Sequence, residues 1–219
     1  MTPAAEPPAE SVVQTKDASD DPDVLLMLRC KRGDDGAFKA LFDKYKRRIV
    51  NYARRFVGKQ ERAEDAAQET FLRLYRARAS YEPKTRFRTY LYRIATNVCL
   101  NHVRKRDWLV REDDEEGEAV TERIPDTAFA QPEAALSGVE LSRLVQKALL
   151  DLPEQQRTAL LLLRFEDLSY EEIAAVMEAS VPAVKALLNR AKVALLDKLG
   201  PHMDGFAVPF SGPSSRSTP

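Results

Sequence analysis

Apolar side chains in this sequence recur at steps of three and four, and no stretch alternates in the way a half-buried strand requires. Phe38, Leu41, Phe42, Tyr45, Ile49, Tyr52, Ala53 and Phe56 trace one stripe. That spacing is helical periodicity. Lys44, Lys46, Arg47, Arg48, Arg54 and Arg55 fill the opposite face. Asp34 and Asp35 can open this helix and Gly58 can close it. Before it, Asp23 can cap a short helix over Val24–Arg32 that Gly33 ends. After it, Ala63, Ala66, Ala67, Thr70, Phe71, Leu74 and Tyr75 form the stripe of a helix from about Glu61 to Arg78. Asp65, Gln68, Glu69, Leu72, Arg73 and Arg76 lie outside that stripe. Ser80–Arg86 holds Pro83 and reads as a loop. A further helix is expected over about Phe87–Arg106, with Tyr90, Leu91, Ile94, Ala95, Val98 and Val103 inward.

A second helical group starts near Leu136. Leu141, Leu144, Val145, Ala148, Leu149 and Leu152 keep the period, and Pro153 begins the next element. The run Ala159–Leu163 is apolar on all sides and must be buried on more than one. Ser169-Tyr170-Glu171-Glu172 is a capping box, S-x-x-E, ahead of Ile173, Ala174, Val176 and Met177. Ser180 can cap a last helix with Pro182 in its first turn. Val184, Leu188, Ala191 and Leu195 give that helix its seam, and Gly200-Pro201 ends it. Two short helices around Glu178-Ala179-Ser180, resting on a third, form the helix-turn-helix pattern. The fold class expected is all-α, two helical domains joined by a flexible acidic linker.

Charge divides the chain the same way. Lys+Arg and Asp+Glu both number 34, so the formal net charge is zero. By segment it is −5 over residues 1–24, +14 over 25–111, −8 over 112–135, −1 over 136–199 and 0 over 200–219. Neutrality is a cancellation, and the basic segment has a polyanion as its natural partner. The domains expected are a disordered tail at 1–22, a basic helical domain at 23–111, an acidic linker at 112–135, a helix-turn-helix domain at 136–200 and a disordered tail at 201–219. No apolar run approaches the ~18 residues of a membrane span, and no secretory signal is expected, because no charged N-region followed by an apolar stretch is found. Cys30 and Cys99 cannot form a disulfide framework. A soluble cytoplasmic protein without membrane insertion is expected.

Two constellations point to nucleic acid. In the last helix, Ser180, Pro182, Ala183, Lys185, Ala186, Asn189, Arg190 and Lys192 are free of the seam or cap it. A helix-turn-helix turns such residues toward the major groove, where Asn can pair with adenine and Lys or Arg can serve guanine or phosphate. From Lys84 to Arg106 there are seven basic residues and no acid. They interleave with Phe87, Tyr90, Tyr92, Asn97, Asn101 and His102. Aromatic rings can stack on unpaired bases while cations hold the strand's backbone. Phe87 and Tyr90 follow the apolar stripe, so they also fit a core role. Cys99 and His102 stand three apart, but Cys30 and His202 are the only other such residues, so no metal site is expected. No cofactor motif is present, and two histidines support no nucleophilic triad, so no enzyme activity is expected.

Together these blocks resemble the extracytoplasmic-function (ECF) group of bacterial sigma factors, in the sigma-70 family. The resemblance is carried by AEDAAQETFLRLYR at Ala63–Arg76, FRTYLYRIATN at Phe87–Asn97 and NHVRKR at Asn101–Arg106. RCKRGDDGAFKALFDKY at Arg29–Tyr45, LLDLPEQQRTALLLLRFEDLSYEE at Leu149–Glu172 and the helix Ile173–Leu196 add to it. It covers about residues 23–199. It implies sigma-2 and sigma-4 domains, binding to core RNA polymerase and recognition of promoter DNA. By position it implies that Asp65, Gln68, Glu69, Leu72 and Arg73 dock on the beta-prime coiled coil. The −10 element would meet Tyr81, Lys84, Arg86, Arg88, Tyr90, Arg93, Asn97, Asn101, Arg104 and Lys105. The −35 element would meet Ser180, Pro182, Ala183, Lys185, Asn189, Arg190 and Lys192, and an apolar groove of the second domain would meet the beta flap. An anti-sigma factor of unidentified kind is a further implied partner. Where the family often carries Ser and Arg on the recognition helix, this chain has Ala186 and Leu187, and its turn has no glycine.

The rival readings are a helix-turn-helix regulator that is not a polymerase subunit, and a helical adaptor whose basic face binds RNA or an acidic partner. The AEDAAQETFLRLYR block separates the first reading from both, because neither rival needs a polymerase-docking segment. The acidic linker could occupy the polymerase's basic RNA path, or fold over the basic domain at low salt.

Overall fold

The computed structural model describes residues 20–112 and 138–200, with side chains described within 20–105 and 139–200. The expected tails and acidic linker lie outside the described residues, apart from residues 20–22 and the backbone of Glu112. The described residues form eight α-helices and no strand: α1 (Pro22–Lys31), α2 (Asp35–Val57), α3 (Gln60–Arg76), α4 (Phe87–Glu112), α5 (Gly138–Leu150), α6 (Glu154–Arg164), α7 (Tyr170–Met177) and α8 (Val181–Leu199). A 3-10 turn at Ala77–Ser80 follows α3.

Helices α1–α4 form the first unit, with α2 at its centre against α1, α3 and α4. Its core is aromatic. Tyr52, Phe56, Phe87 and Tyr92 are fully buried. Tyr52 meets Tyr92 edge-on at 5.3 Å between ring centres, and Tyr45 lies 5.5 Å from Phe87. Buried hydroxyls in such a core need partners. Tyr52 Oη and Thr96 Oγ1 share a hydrogen bond of 2.8 Å, and Tyr45 Oη donates to Asp23 at 2.5 Å.

The start of α1 differs from expectation. Asp21, not Asp23, is the cap: its carboxylate accepts the Asp23 N–H at 2.9 Å. Pro22 explains the shift, since its fixed φ and missing N–H suit the first helical position. Asp23 instead lies buried inside α1, held by Lys44 Nζ at 2.6 Å and by Tyr45. The second oxygen of Asp21 accepts the Phe87 N–H at 3.0 Å, so one carboxylate serves the first turns of both α1 and α4.

Helices α5–α8 form the second unit around an aliphatic core. Thr158, Ala159, Leu160, Leu161 and Leu162 of α6 are all buried, because α6 packs against α2, α7 and α8 at once. The capping box of α7 is complete. Ser169 Oγ accepts from Glu172 N at 3.2 Å, and Glu172 Oε2 accepts from Ser169 N at 2.9 Å. Glu178 ends α7 in the left-handed region, at φ 52° and ψ 44°. Glycine reaches that conformation without strain, whereas a residue with a Cβ is strained by about 1 kcal/mol.

The units are docked. Arg157, buried on α6, donates to Phe56 O at 2.7 Å across the interface and to Leu150 O and Leu152 O within its own unit. Gln146 donates to the carbonyls of Arg54 and Arg55 at 3.3 Å. These carbonyls belong to the last turn of α2, where Gly58 N–H also donates to Arg54 O at 2.9 Å. Gly58, at φ 86°, lets Leu150 approach: a Cβ there would stand 2.9 Å from a Leu150 methyl carbon.

Candidate polymerase and nucleic-acid interfaces

The apolar stripe of α3 faces α2 and α4, which turns its other residues outward. Asp65, Gln68, Leu72 and Arg73 are exposed, and Glu69 is half-buried at the edge. Leu72 is 54 % exposed, an unusual place for leucine in the middle of a helix otherwise polar on that face. Glu69 accepts from Arg73 at 2.5 Å and meets His102 Nε2 of α4 at 2.9 Å. The hydrogen bonds from these two partners lower the Glu69 pKa despite its partial desolvation. The Glu69–His102 pair ties the outer face of α3 to α4.

On α4, Arg93, Asn97, Asn101 and Arg104 are exposed at steps of four, four and three, so they share one face, and Lys105 borders it. Tyr90 is half-buried near the start of that face, with Arg93 5.6 Å from its ring centre. Lys84 and Arg86 project from the loop before α4. Tyr81 is different. It was expected at the strand, yet it is only 2 % exposed, packed 5.0 Å from the Tyr90 ring, while Lys31 donates to its carbonyl at 2.8 Å. Its aromatic bulk completes the core beneath the loop instead of projecting from it. Arg88 is half-buried and donates to Asp167 O of the second unit at 3.0 Å. Helix α4 also continues to Glu112, beyond the expected Arg106.

Cys99 and His102 do not converge. Cys99 is buried, with its thiol pushed up to about 12 by desolvation, and His102 turns to Glu69. Among the described residues no group of three or more His, Cys, Asp or Glu side chains could hold a metal ion. Likewise, no helix among them is long and apolar enough to cross a membrane.

In the helix-turn-helix, Ser180 Oγ accepts the Ala183 N–H at 3.3 Å and fixes the start of α8. Pro182, Ala183, Lys185, Asn189 and Arg190 are exposed, and Lys192 is half-buried. Lys185 Nζ lies 5.6 Å from the Tyr170 ring centre. Leu187 is 8 % exposed and belongs to the core with Val184, Leu188 and Ala191. It stands three after Val184 and four before Ala191, so its spacing already carried this signal.

Comparison with known proteins bears on both units. Residues 41–109 match Sigma-70 region 2, and residues 142–195 match Sigma-70, region 4. The RNA polymerase sigma-H factor of Pseudomonas aeruginosa is 38 % identical over 182 residues, covering 82 % of this chain and 94 % of that one. The ECF RNA polymerase sigma factor SigW of Bacillus subtilis is 34 % identical, covering 77 % of this chain and 92 % of that one. Among solved structures, CnrH in complex with the cytosolic domain of CnrY is similar with a TM-score of 0.62 at 25 % identity, covering 84 % of this chain and 99 % of that one. The sigma factor RpoE of Bartonella quintana, solved with the anti-sigma factor NepR, shares the fold with a TM-score of 0.58 at 24 % identity, covering 74 % and 96 %. Two helical units in this order, one basic and one with a helix-turn-helix, together with these relatives, place the chain in the sigma-70 family as an RNA polymerase sigma factor of the ECF group.

Proposed function

We propose that the two units divide promoter recognition between melted and duplex DNA. The observation that carries this reading is the shared edge of α3 and α4. An exposed docking face (Asp65, Gln68, Leu72, Arg73) lies beside a cationic, amide-bearing face (Arg93, Asn97, Asn101, Arg104), joined by the Glu69–His102 contact. Polymerase docked on α3 would hold α4 where the −10 region opens. Lys84, Arg86, Arg88, Arg93, Arg104 and Lys105 would neutralise the non-template strand's phosphates. Tyr90 offers a stacking face, and Asn97 and Asn101 offer donors and acceptors to unpaired bases. Opening then proceeds because strand contacts offset the loss of base stacking. Tyr81, being buried, is left out of that surface.

The second unit would read −35 duplex DNA through Lys185, Asn189, Arg190 and Lys192, with Ser180, Pro182 and Ala183 at the approach to the groove. It also supplies a site for the beta flap. The domain limits we propose are 23–111 and 136–200. The chain works as an initiation subunit without catalysis of its own, in the cytoplasm, and is held in check by an anti-sigma partner. The test is promoter opening by reconstituted holoenzyme, read as fluorescence of 2-aminopurine in the −10 region. Asn97→Ala with Asn101→Ala should lower the opening rate about tenfold or more while co-elution with polymerase persists. Unchanged opening would remove the strand-binding role from α4.

A further inference from the structure

Helix α1 bonds to both ends of the loop that carries Lys84 and Arg86. Before its first turn, Asp21 accepts the Phe87 N–H at 3.0 Å with one carboxylate oxygen and the Asp23 N–H at 2.9 Å with the other. At its last residue, Lys31 Nζ donates to the Tyr81 carbonyl at 2.8 Å. Tyr81 and Phe87 bound the segment between the 3-10 turn and α4. Ten residues of α-helix rise about 15 Å, so the two anchors are joined by a stiff rod of that length.

The anchors are themselves fixed. Tyr81 and Phe87 are buried, with Tyr81 packed on Tyr90 and Phe87 on Tyr45. Tyr45 donates in turn to Asp23 in the first turn of α1, which Lys44 also holds. Between the anchors, Glu82, Pro83 and Lys84 are exposed. Among the described residues, the hydrogen bonds of this stretch stay local. Lys84 N–H donates to Glu82 O at 2.9 Å, Lys84 Nζ meets the Glu82 carboxylate at 2.9 Å, and Thr85 Oγ1 donates to Arg86 O at 3.4 Å. Local bonds shape a loop but do not place it relative to α4. That placement falls to its two ends, and α1 holds both.

We propose that α1 is a splint for this loop, with Asp21 and Lys31 as positioning residues that set how strictly the −10 sequence is read. This rests on the strand-binding reading of the loop and α4. Phosphate contacts from Lys84 and Arg86 fix the register of the strand, and base contacts from Tyr90, Asn97 and Asn101 specify it. A loose loop keeps its charge and still attracts phosphate, but it no longer presents the strand to α4 in one register. Loss of the splint therefore costs discrimination between bases.

The test uses full-length Asp21→Asn and Lys31→Met in reconstituted holoenzyme. Asparagine caps a helix as well as aspartate does, but its single acceptor oxygen cannot serve both N–H groups. Methionine keeps an unbranched apolar stem and removes the donor to Tyr81. The two changes alter net charge in opposite directions. The probes are a promoter opened by the wild-type holoenzyme and its single-base replacements across the −10 element, read by 2-aminopurine fluorescence. Both variants should co-elute with polymerase, and in both the ratio of opening rates between the parent and the slowest replacement should fall about fivefold or more. Lys31→Arg, which retains a donor, should keep the wild-type ratio. A mere loss of stability would slow every promoter alike and leave the ratio unchanged. An unchanged ratio in either variant overturns the proposal, as do shifts of opposite sign, which mark a charge effect. Loss of the ratio in Lys31→Arg also overturns it. Lys31 is exposed, so Lys31→Met decides alone should Asp21→Asn fail to fold. If the proposal falls, Lys84→Ala with Arg86→Ala separates the two readings: slower opening leaves the loop on the strand, and unchanged opening removes it.

Discussion

The first unit buries tyrosines and bonds the hydroxyls of Tyr45, Tyr52 and Tyr92, while the second buries leucines and, among the described residues, a single arginine. The first gathers a net charge of +14 over residues 25–111, against −1 over 136–199 in the second. The difference separates two tasks that a protein binding one kind of DNA could merge. Holding a melted strand is mainly electrostatic and stacking work, which suits a rigid aromatic core beneath a cationic surface. Reading a duplex depends on placing a few side chains in a groove, which a small, nearly neutral helix-turn-helix can do.

The largest effect that could break this comparison is at Arg157, whose buried guanidinium joins the second unit's core to the first. Arg157→Leu should cost about 2–4 kcal/mol in urea unfolding of the full chain, because it leaves the Phe56, Leu150 and Leu152 carbonyls without their donor. A loss under about 0.5 kcal/mol would mean that the guanidinium is not a structural group. A smaller effect sharpens the electrostatic half of the comparison. Arg93→Ala with Lys105→Ala should reduce the salt slope of single-strand binding by about 1.4. Lys185→Ala with Arg190→Ala should leave that slope unchanged, and equal reductions would erase the distinction between the units. The smallest effect lies in the turn before α8. Glu178→Gly should raise stability by about 0.5–1 kcal/mol, read from the same urea titration, by relieving a left-handed backbone.

Helices and their caps were largely legible in the sequence, because they follow from near neighbours. The 3-and-4 spacing marked α2, the S-x-x-E box marked α7, and Ser180 marked α8. Where local reading missed, the local signal was still present: Pro22 moved the cap to Asp21, and the Val184–Leu187–Ala191 spacing placed Leu187 inside. Tyr81 and the interface between units were not legible. Burial of Tyr81 depends on Tyr90 and Lys31, nine and fifty positions away. Arg157, Glu166 and Gln146 look like ordinary helix-surface or loop residues until their partners at Phe56, Tyr92, Arg54 and Arg55 are brought up by the fold. Periodicity assigns a side chain to a face but does not say what that face meets.

The central claim is that the outer face of α3 joins this chain to polymerase and thereby positions α4 on the opened promoter. Leu72 tests it most directly, being exposed, apolar and outside the core. Purified chain and its Leu72→Glu variant would each be mixed with core RNA polymerase, passed through size exclusion, and assayed for run-off transcription from a promoter library. The wild-type chain should co-elute and direct discrete transcripts, while Leu72→Glu should remain folded, elute alone and give none. Co-elution and transcription by Leu72→Glu at the wild-type level would contradict the account.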